Sequence, residues 1–207
     1  MAASRPWRRH REITTVIKES MTDNVQLPRL YITWLTPKQF SPGDAELDVA
    51  ANVLAGGKTS RLYKRLVYDL QVAQNVSAAQ ESGQLGSQFR ITVTPKPSAD
   101  APQVALDKLK AIIDEELQKL RDTAPTEREM QRVMNGLEAG FYSQMERVNG
   151  QARSLNSYYA QTGNPDYFNE DLGRYRALSP NDITAAVRRW LPADKRLEFS
   201  VLPAAKK

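Results

Sequence analysis

Apolar positions along the chain follow two rhythms, one of period two and one of helical period. LPRLYITWLT (27–36) alternates Leu30, Ile32 and Trp34 with Tyr31, Thr33 and Leu35, which predicts a strand largely covered on both faces and stopped by Pro37. SPGDAELDVAANVLAGG then sets Leu47, Ala50, Ala51 and Leu54 at i, i+3, i+4 and i+7. With Pro42 and acidic residues near the start and Gly56–Gly57 at the end, it predicts a helix. A second helix is expected from TSRLYKRLVYDL, with Thr59 or Ser60 as its cap and Tyr63, Leu66, Val67 and Leu70 along one face. VAQNVSAAQ and SQFRITVTP, the latter alternating Phe89, Ile91 and Val93, read as neighbouring antiparallel strands joined by the turn-rich ESGQLG.

From about Ala101 the helical rhythm takes over. Leu106, Leu109, Ile113, Leu117 and Leu120 form one stripe; Pro125 breaks it, and Thr126 with Glu129 at capping-box spacing starts the next helix, which carries Met130, Val133, Met134, Leu137 and Phe141. GQARSLNSYYAQTGNPDYF predicts a further helix ending near Gly163. LSPNDITAAVRRWL predicts a last one, capped by Ser179 with Pro180 in its first turn, before the closing strand RLEFSVLP, which alternates Leu197, Phe199 and Val201. Helices segregated over a mainly antiparallel sheet make the fold class α+β.

The composition narrows the possible chemistry. At 207 residues, with 41 % hydrophobic and 26 % charged residues, the chain is long enough to bury a core without staples. It has no cysteine, which removes disulfides, thiolate metal sites and a cysteine nucleophile. No run approaches the roughly 18 apolar residues of a membrane-spanning helix, and MAASRPWRRH lacks the apolar middle of a secretory signal, so neither a membrane span nor an export address is expected. The net charge of +5 is concentrated at the ends: Arg5, Arg8, Arg9, Arg11 and Lys18 outweigh Glu12 and Glu19, Lys206 and Lys207 add two, and residues 21–205 are neutral by formal count. The expected organisation is a poorly ordered basic arm (1–24), one domain (25–203) and a short tail (204–207), with no nucleic-acid partner.

Gly57-Lys58-Thr59 within LAGGKTSRLY imitates the end of a phosphate loop. Such a loop needs a glycine five residues earlier and a strand leading in; here Asn52 holds that place and a helix leads in. The expected role of Gly56 and Gly57 is to end one helix in a left-handed turn. His10, the only histidine, sits in the basic arm with no second imidazole, so a multi-histidine zinc site cannot be assembled and a Ser-His-Asp triad is not expected. Asp114, Glu115 and Glu116 point in different directions on a helix and read as a solvated face. Tyr158, Tyr159, Tyr167, Phe168 and Tyr175 read as packing between helices rather than a peptide-stacking surface. No residue is nominated as catalytic, cofactor-binding or metal-binding.

Laid in order, LPRLYITWLTP, ANVLAGGKTSRLYKRLVYDLQVAQNVSA, YYAQTGNPDYFNEDLGRYRALSPNDITAAVRRWL and RLEFSVLP resemble the second, non-metal-binding domain of M16 (insulinase/pitrilysin-like) zinc metallopeptidases, over about residues 25–203. The resemblance implies a LuxS/MPP-like metallohydrolase-type fold, an antiparallel sheet backed by helices. Two such domains form half of a chamber around an unfolded peptide. In the family, zinc is held by an HxxEH motif and a distal glutamate of the catalytic domain, with the motif glutamate activating the water. This sequence has no HxxEH, so it is expected to be inactive by itself, to hold no cofactor, and to pack on an HxxEH-bearing domain or subunit that supplies the zinc. An arginine and, seven residues on, a tyrosine serve the family in the half that faces the zinc domain; the corresponding positions here are Val67 and Gln74. This departure points to the domain that follows a zinc domain in the chain. A stand-alone peptide-binding or assembly module that has lost proteolysis is the alternative, since fold does not grant activity. Bacterial members of the family are often periplasmic, which the resemblance extends to the parent protein alone.

Overall fold

The computed structural model describes residues 12–204. They form a five-stranded sheet of order β1-β5-β2-β4-β3, where β1 is Ile17–Asp23, β2 Arg29–Thr36, β3 Ala73–Glu81, β4 Ser87–Pro95 and β5 Leu197–Pro203. β1 runs parallel to β5, and every other pairing is antiparallel. Six α-helices accompany it: α1 (Asp44–Ala55), α2 (Pro102–Asp122), α3 (Glu127–Met145), α4 (Val148–Thr162), α5 (Phe168–Arg176) and α6 (Pro180–Trp190).

One face of the sheet holds the core. Leu30, Ile32 and Trp34 of β2 and Phe89, Ile91 and Val93 of β4 are fully buried against Leu47 and Leu54 of α1, Leu106, Ile113 and Leu117 of α2 and Val187 of α6. Burial of each such side chain favours folding by about 1.5–3 kcal/mol over leaving it in water. The predicted caps form: Thr126 accepts from the Glu129 amide at 3.2 Å, Glu129 accepts in return from the Thr126 amide at 2.9 Å, and Ser179 with Asp182 repeats the arrangement. Gly163 ends α4 in the left-handed region.

Among the described residues the opposite face is bare except at Thr33, which is 9 % exposed, and this corrects the expectation that β2 is largely covered on both faces. Leu35 is 40 % exposed and Tyr31 half-buried, and the polar partners Arg90, Thr92 and Thr94 on β4 share this face. β5 inverts the expected pattern as well. Its apolar Leu197, Phe199 and Val201 lie on the bare face, beside Ile17 and Met21 of β1, whereas Glu198 and Ser200 are buried on the helix side.

Three further elements differ from the sequence reading. β1 lies inside the segment read as a poorly ordered arm; all seven residues are exposed, and it is a strand because the outer edge of β5 supplies its backbone partners. Residues 1–11, with His10 and the arginines of the arm, and the tail lysines fall outside the described residues. The helix after Gly-Gly is π-wound over Tyr63–Asp69, and the Leu70 amide bonds the Arg65 carbonyl at 3.0 Å. The wider turn carries Leu70 out of the expected face, to 49 % exposure, while Leu62 and Leu66 are fully buried. Finally, α5 has no counterpart in the sequence reading: nine residues with Leu172 and Tyr175 as its buried apolar contacts give too short a period.

Candidate functional site

The Gly-Gly corner is a helix-terminating turn. Gly57 sits at φ 103°, where a side chain is strained, and a Cβ on Gly56 would lie 2.5 Å from the Asn52 carbonyl oxygen. The Gly56, Gly57 and Ser60 amides donate to the carbonyls of Asn52, Ala55 and Gly57, so they are turned into the chain and not toward a phosphate. Neither predicted cap operates. The Ser60 hydroxyl donates back to the Gly57 carbonyl at 2.6 Å, and the Thr59 hydroxyl accepts from Arg132 Nη1 at 2.7 Å.

Beside this corner the π-helical segment is fastened by two arginines. Arg61 makes a bidentate pair with Glu129 of α3, at 2.7 and 2.9 Å, and Arg65 reaches Glu116 of α2 at 2.6 Å and also Glu115. The Arg61 guanidinium, helped by the Thr126 amide and against the cost of burial, holds the Glu129 carboxyl down to about 2. The acidic run is therefore no solvated face: Glu116 is buried, and Asp114 pairs with Arg196, which also binds Glu198. Between the segment and α3 lie two adjoining hollows of about 590 and 890 Å³ that share Thr59, Lys64 and Glu129. Val67 lines the larger one, and Gln74 is exposed on the edge strand β3. The two positions that the resemblance aligned with a substrate-facing pair thus sit on consecutive elements, without the arginine and tyrosine chemistry.

A second polar group joins α1 to α5. Arg174 donates to Asp171 Oδ1 from Nε and Nη2, at 3.1 and 2.8 Å, and lies 3.4 Å from Asp44 Oδ2. Asp44 also accepts from the Phe40 amide and the Ser82 hydroxyl, Asp171 from the Tyr158 hydroxyl, and Asp48 from the Tyr175 hydroxyl at 3.2 Å. The aromatic residues read as packing do pack: Phe40, Tyr158 and Tyr167 meet edge to face or tilted, and Phe141 sits against Phe168 and Tyr175. Tyr159 is the exception at 65 % exposure.

Three carboxylates around one guanidinium leave Asp48 poorly compensated. Burial pushes its carboxyl above the ordinary range, and Asp44 and Asp171 add to the effect against Tyr175 and Arg174. A folded-state pKa above the unfolded one favours the native state below the unfolded value, near pH 3.9, and the benefit is lost as pH rises through the raised value. Asp48→Asn keeps an acceptor for Tyr175 without the charge. It is expected to raise the urea midpoint at pH 7 and to lose that advantage near pH 4; a lower midpoint at pH 7 contradicts the assignment.

Among the described residues no group of three or more His, Cys, Asp and Glu side chains is placed to hold a metal ion. The described residues do not fit a zinc site, and no helix among them is long and apolar enough to cross a membrane.

A sequence profile of the peptidase M16 inactive domain matches residues 3–137. Curated protein sequences gave no significant match. Among solved structures, a protease from Helicobacter pylori superposes with a TM-score of 0.84 at 17 % identity, covering 98 % of this chain and 48 % of that one. A peptidase M16 inactive domain from Pseudomonas fluorescens gives 0.75 at 16 % identity, covering 93 % of this chain and 44 % of that one. The inactive peptidase domain of a Bordetella parapertussis protein assigned as a zinc protease gives 0.77 at 20 % identity, covering 90 % of this chain and 96 % of that one. The chain thus spans just under half the length of the first two and nearly all of the third. With the profile matched over most of its length and the α+β fold shared, the chain belongs to the peptidase M16 inactive-domain family.

Proposed function

We propose that this domain is a non-catalytic wall of an M16-type zinc peptidase: it packs on a companion domain bearing HxxEH, which holds the zinc, and the two enclose an extended peptide. The observation that carries this reading is an inactive-domain fold whose described residues assemble no metal-ligand group, in a chain with one histidine. The bare sheet face, with Tyr31, Leu35 and Phe199 beside Arg90 and Thr92, suits a wall, because it offers mixed apolar and polar contacts to an extended chain.

The test is cleavage of a quenched, unfolded peptide with added zinc and with a chelator, first by this chain alone and then with an HxxEH-bearing chain encoded beside it. The expected outcome is no chelator-sensitive turnover alone, a stable complex on size exclusion, and turnover once the two are mixed. Chelator-sensitive turnover by this chain alone overturns the non-catalytic assignment. Failure of the two chains to associate overturns the packing.

A further inference from the structure

The larger hollow between the π-helical segment and the start of α3 has a chemistry of its own. Lys58, Lys64, Arg128 and Arg132 surround it, while its one carboxylate, Glu129, is held by Arg61. Lys58, Lys64 and Arg128 make no ion pair among the described residues. Arg132 bonds the Thr59 hydroxyl through Nη1 and leaves Nε and Nη2 enclosed without a partner there. Residues 21–205 are neutral as a whole, so four cations around one hollow are a local concentration and not a share of a general basicity. The lining is apolar as well. Tyr63 and Val67 are half-buried in it and Tyr68 is 74 % exposed, with the exposed Leu70 and Val72 continuing along the chain toward β3.

We infer that this hollow receives an acidic stretch of extended polypeptide that also carries aromatic or aliphatic side chains. Carboxylates meet the cationic rim, and the apolar side chains lie on Tyr63, Val67 and Tyr68. A free phosphate or nucleotide suits it less well, because the Gly56, Gly57 and Ser60 amides are already bonded within the turn and the lining offers an apolar surface that a small anion does not use. The inference rests on the reading of the domain as a peptide-enclosing wall and adds a substrate class to it: acidic, unfolded segments.

Fluorescence anisotropy on the purified chain tests this with three labelled, unstructured peptides of one length, in which Leu and Phe alternate with Glu, with Gln or with Lys. The Glu peptide is expected to bind tightest, and its affinity to fall steeply between about 0.05 and 0.5 M salt as screening grows. A Lys58→Glu, Lys64→Glu, Arg128→Glu variant, whose changes are all at exposed positions, is expected to bind it on the order of tenfold more weakly with an unchanged circular dichroism spectrum. Equal binding of the Glu and Lys peptides, unchanged affinity in the variant, or no binding of the Glu peptide overturns the inference. Displacement by inorganic phosphate as effective as by unlabelled Glu peptide overturns it in favour of a free-anion site. The Gln peptide separates the two levels: if it binds as well as the Glu peptide, the charge selectivity fails and the wall reading stands. Failure of the wall itself shows in the association experiment with the HxxEH-bearing chain, whatever these peptides do.

Discussion

An Arg174→Ala variant is expected to lose about 3–5 kcal/mol of unfolding free energy, the usual cost of removing one partner from a buried ionic group. The Arg174 side chain is 20 % exposed, and its partners Asp171 and Asp44 are 10 % and 4 % exposed. Its guanidinium binds Asp171 through two nitrogens, approaches Asp44, and lies 4.8 Å from the centroid of the Phe40 ring. Without it, Asp44, Asp48 and Asp171 face one another with no cation, and α5 loses its ionic tie to α1. For a chain of this size the loss corresponds to a fall of about 10 °C in melting temperature. Arg174→Lys keeps the charge but not the two-pronged geometry, so an intermediate loss is expected. Thermal and urea unfolding of both variants check this. An alanine variant within about 0.5 kcal/mol of the parent, the range of an ordinary surface substitution, removes the ionic group from the account of how α5 is held.

Glu129→Ala is expected to cost about 2–3 kcal/mol, because one carboxylate serves two purposes: it closes the capping box of α3 and binds Arg61 through both oxygens. The acid dependence distinguishes this from a packing loss. Arg61 lowers the folded-state pKa of Glu129 to about 2, below the roughly 4.3 of an unfolded glutamate. The stabilisation is therefore complete above the unfolded value and is lost as pH falls from there toward the folded value. The gap between parent and variant in urea should be constant from pH 7 to about pH 5 and close substantially by about pH 2.5. A gap that does not change with pH assigns the loss to the side chain's packing alone.

Local signals carried the reading of the helices. α2 and α3 announce themselves through apolar stripes, and α3 and α6 through Thr126–Glu129 and Ser179–Asp182, because a cap and its partner lie three residues apart. β4 is equally legible, since its alternation is unbroken from Ser87 to Pro95. The resemblance to the M16 inactive domain also rests on sequence order alone, and the profile match bears it out.

Elements whose existence depends on a distant partner left weaker traces. β1 buries no residue and exists as a strand beside β5, nearly the whole chain away, so its period-two apolar signal is confined to Ile17 and Met21. The nine residues of α5 are held as much by Arg174 and Asp44, 130 positions apart, as by their two apolar contacts. The acidic run at Asp114–Glu116 looked solvated because its cations, Arg65 and Arg196, come from other elements, 50 and 82 positions away in the pairs to Glu115 and Asp114. The sequence by itself determined the class of the fold, the helix boundaries set by caps, and the lack of an HxxEH site, all of which depend on residue type and short spacing. Tertiary structure alone decided which face of the sheet stays bare, which charges are paired, and that Lys58, Lys64, Arg128 and Arg132 converge on one hollow. Those are properties of side chains that only the packing of separate elements brings within reach of one another.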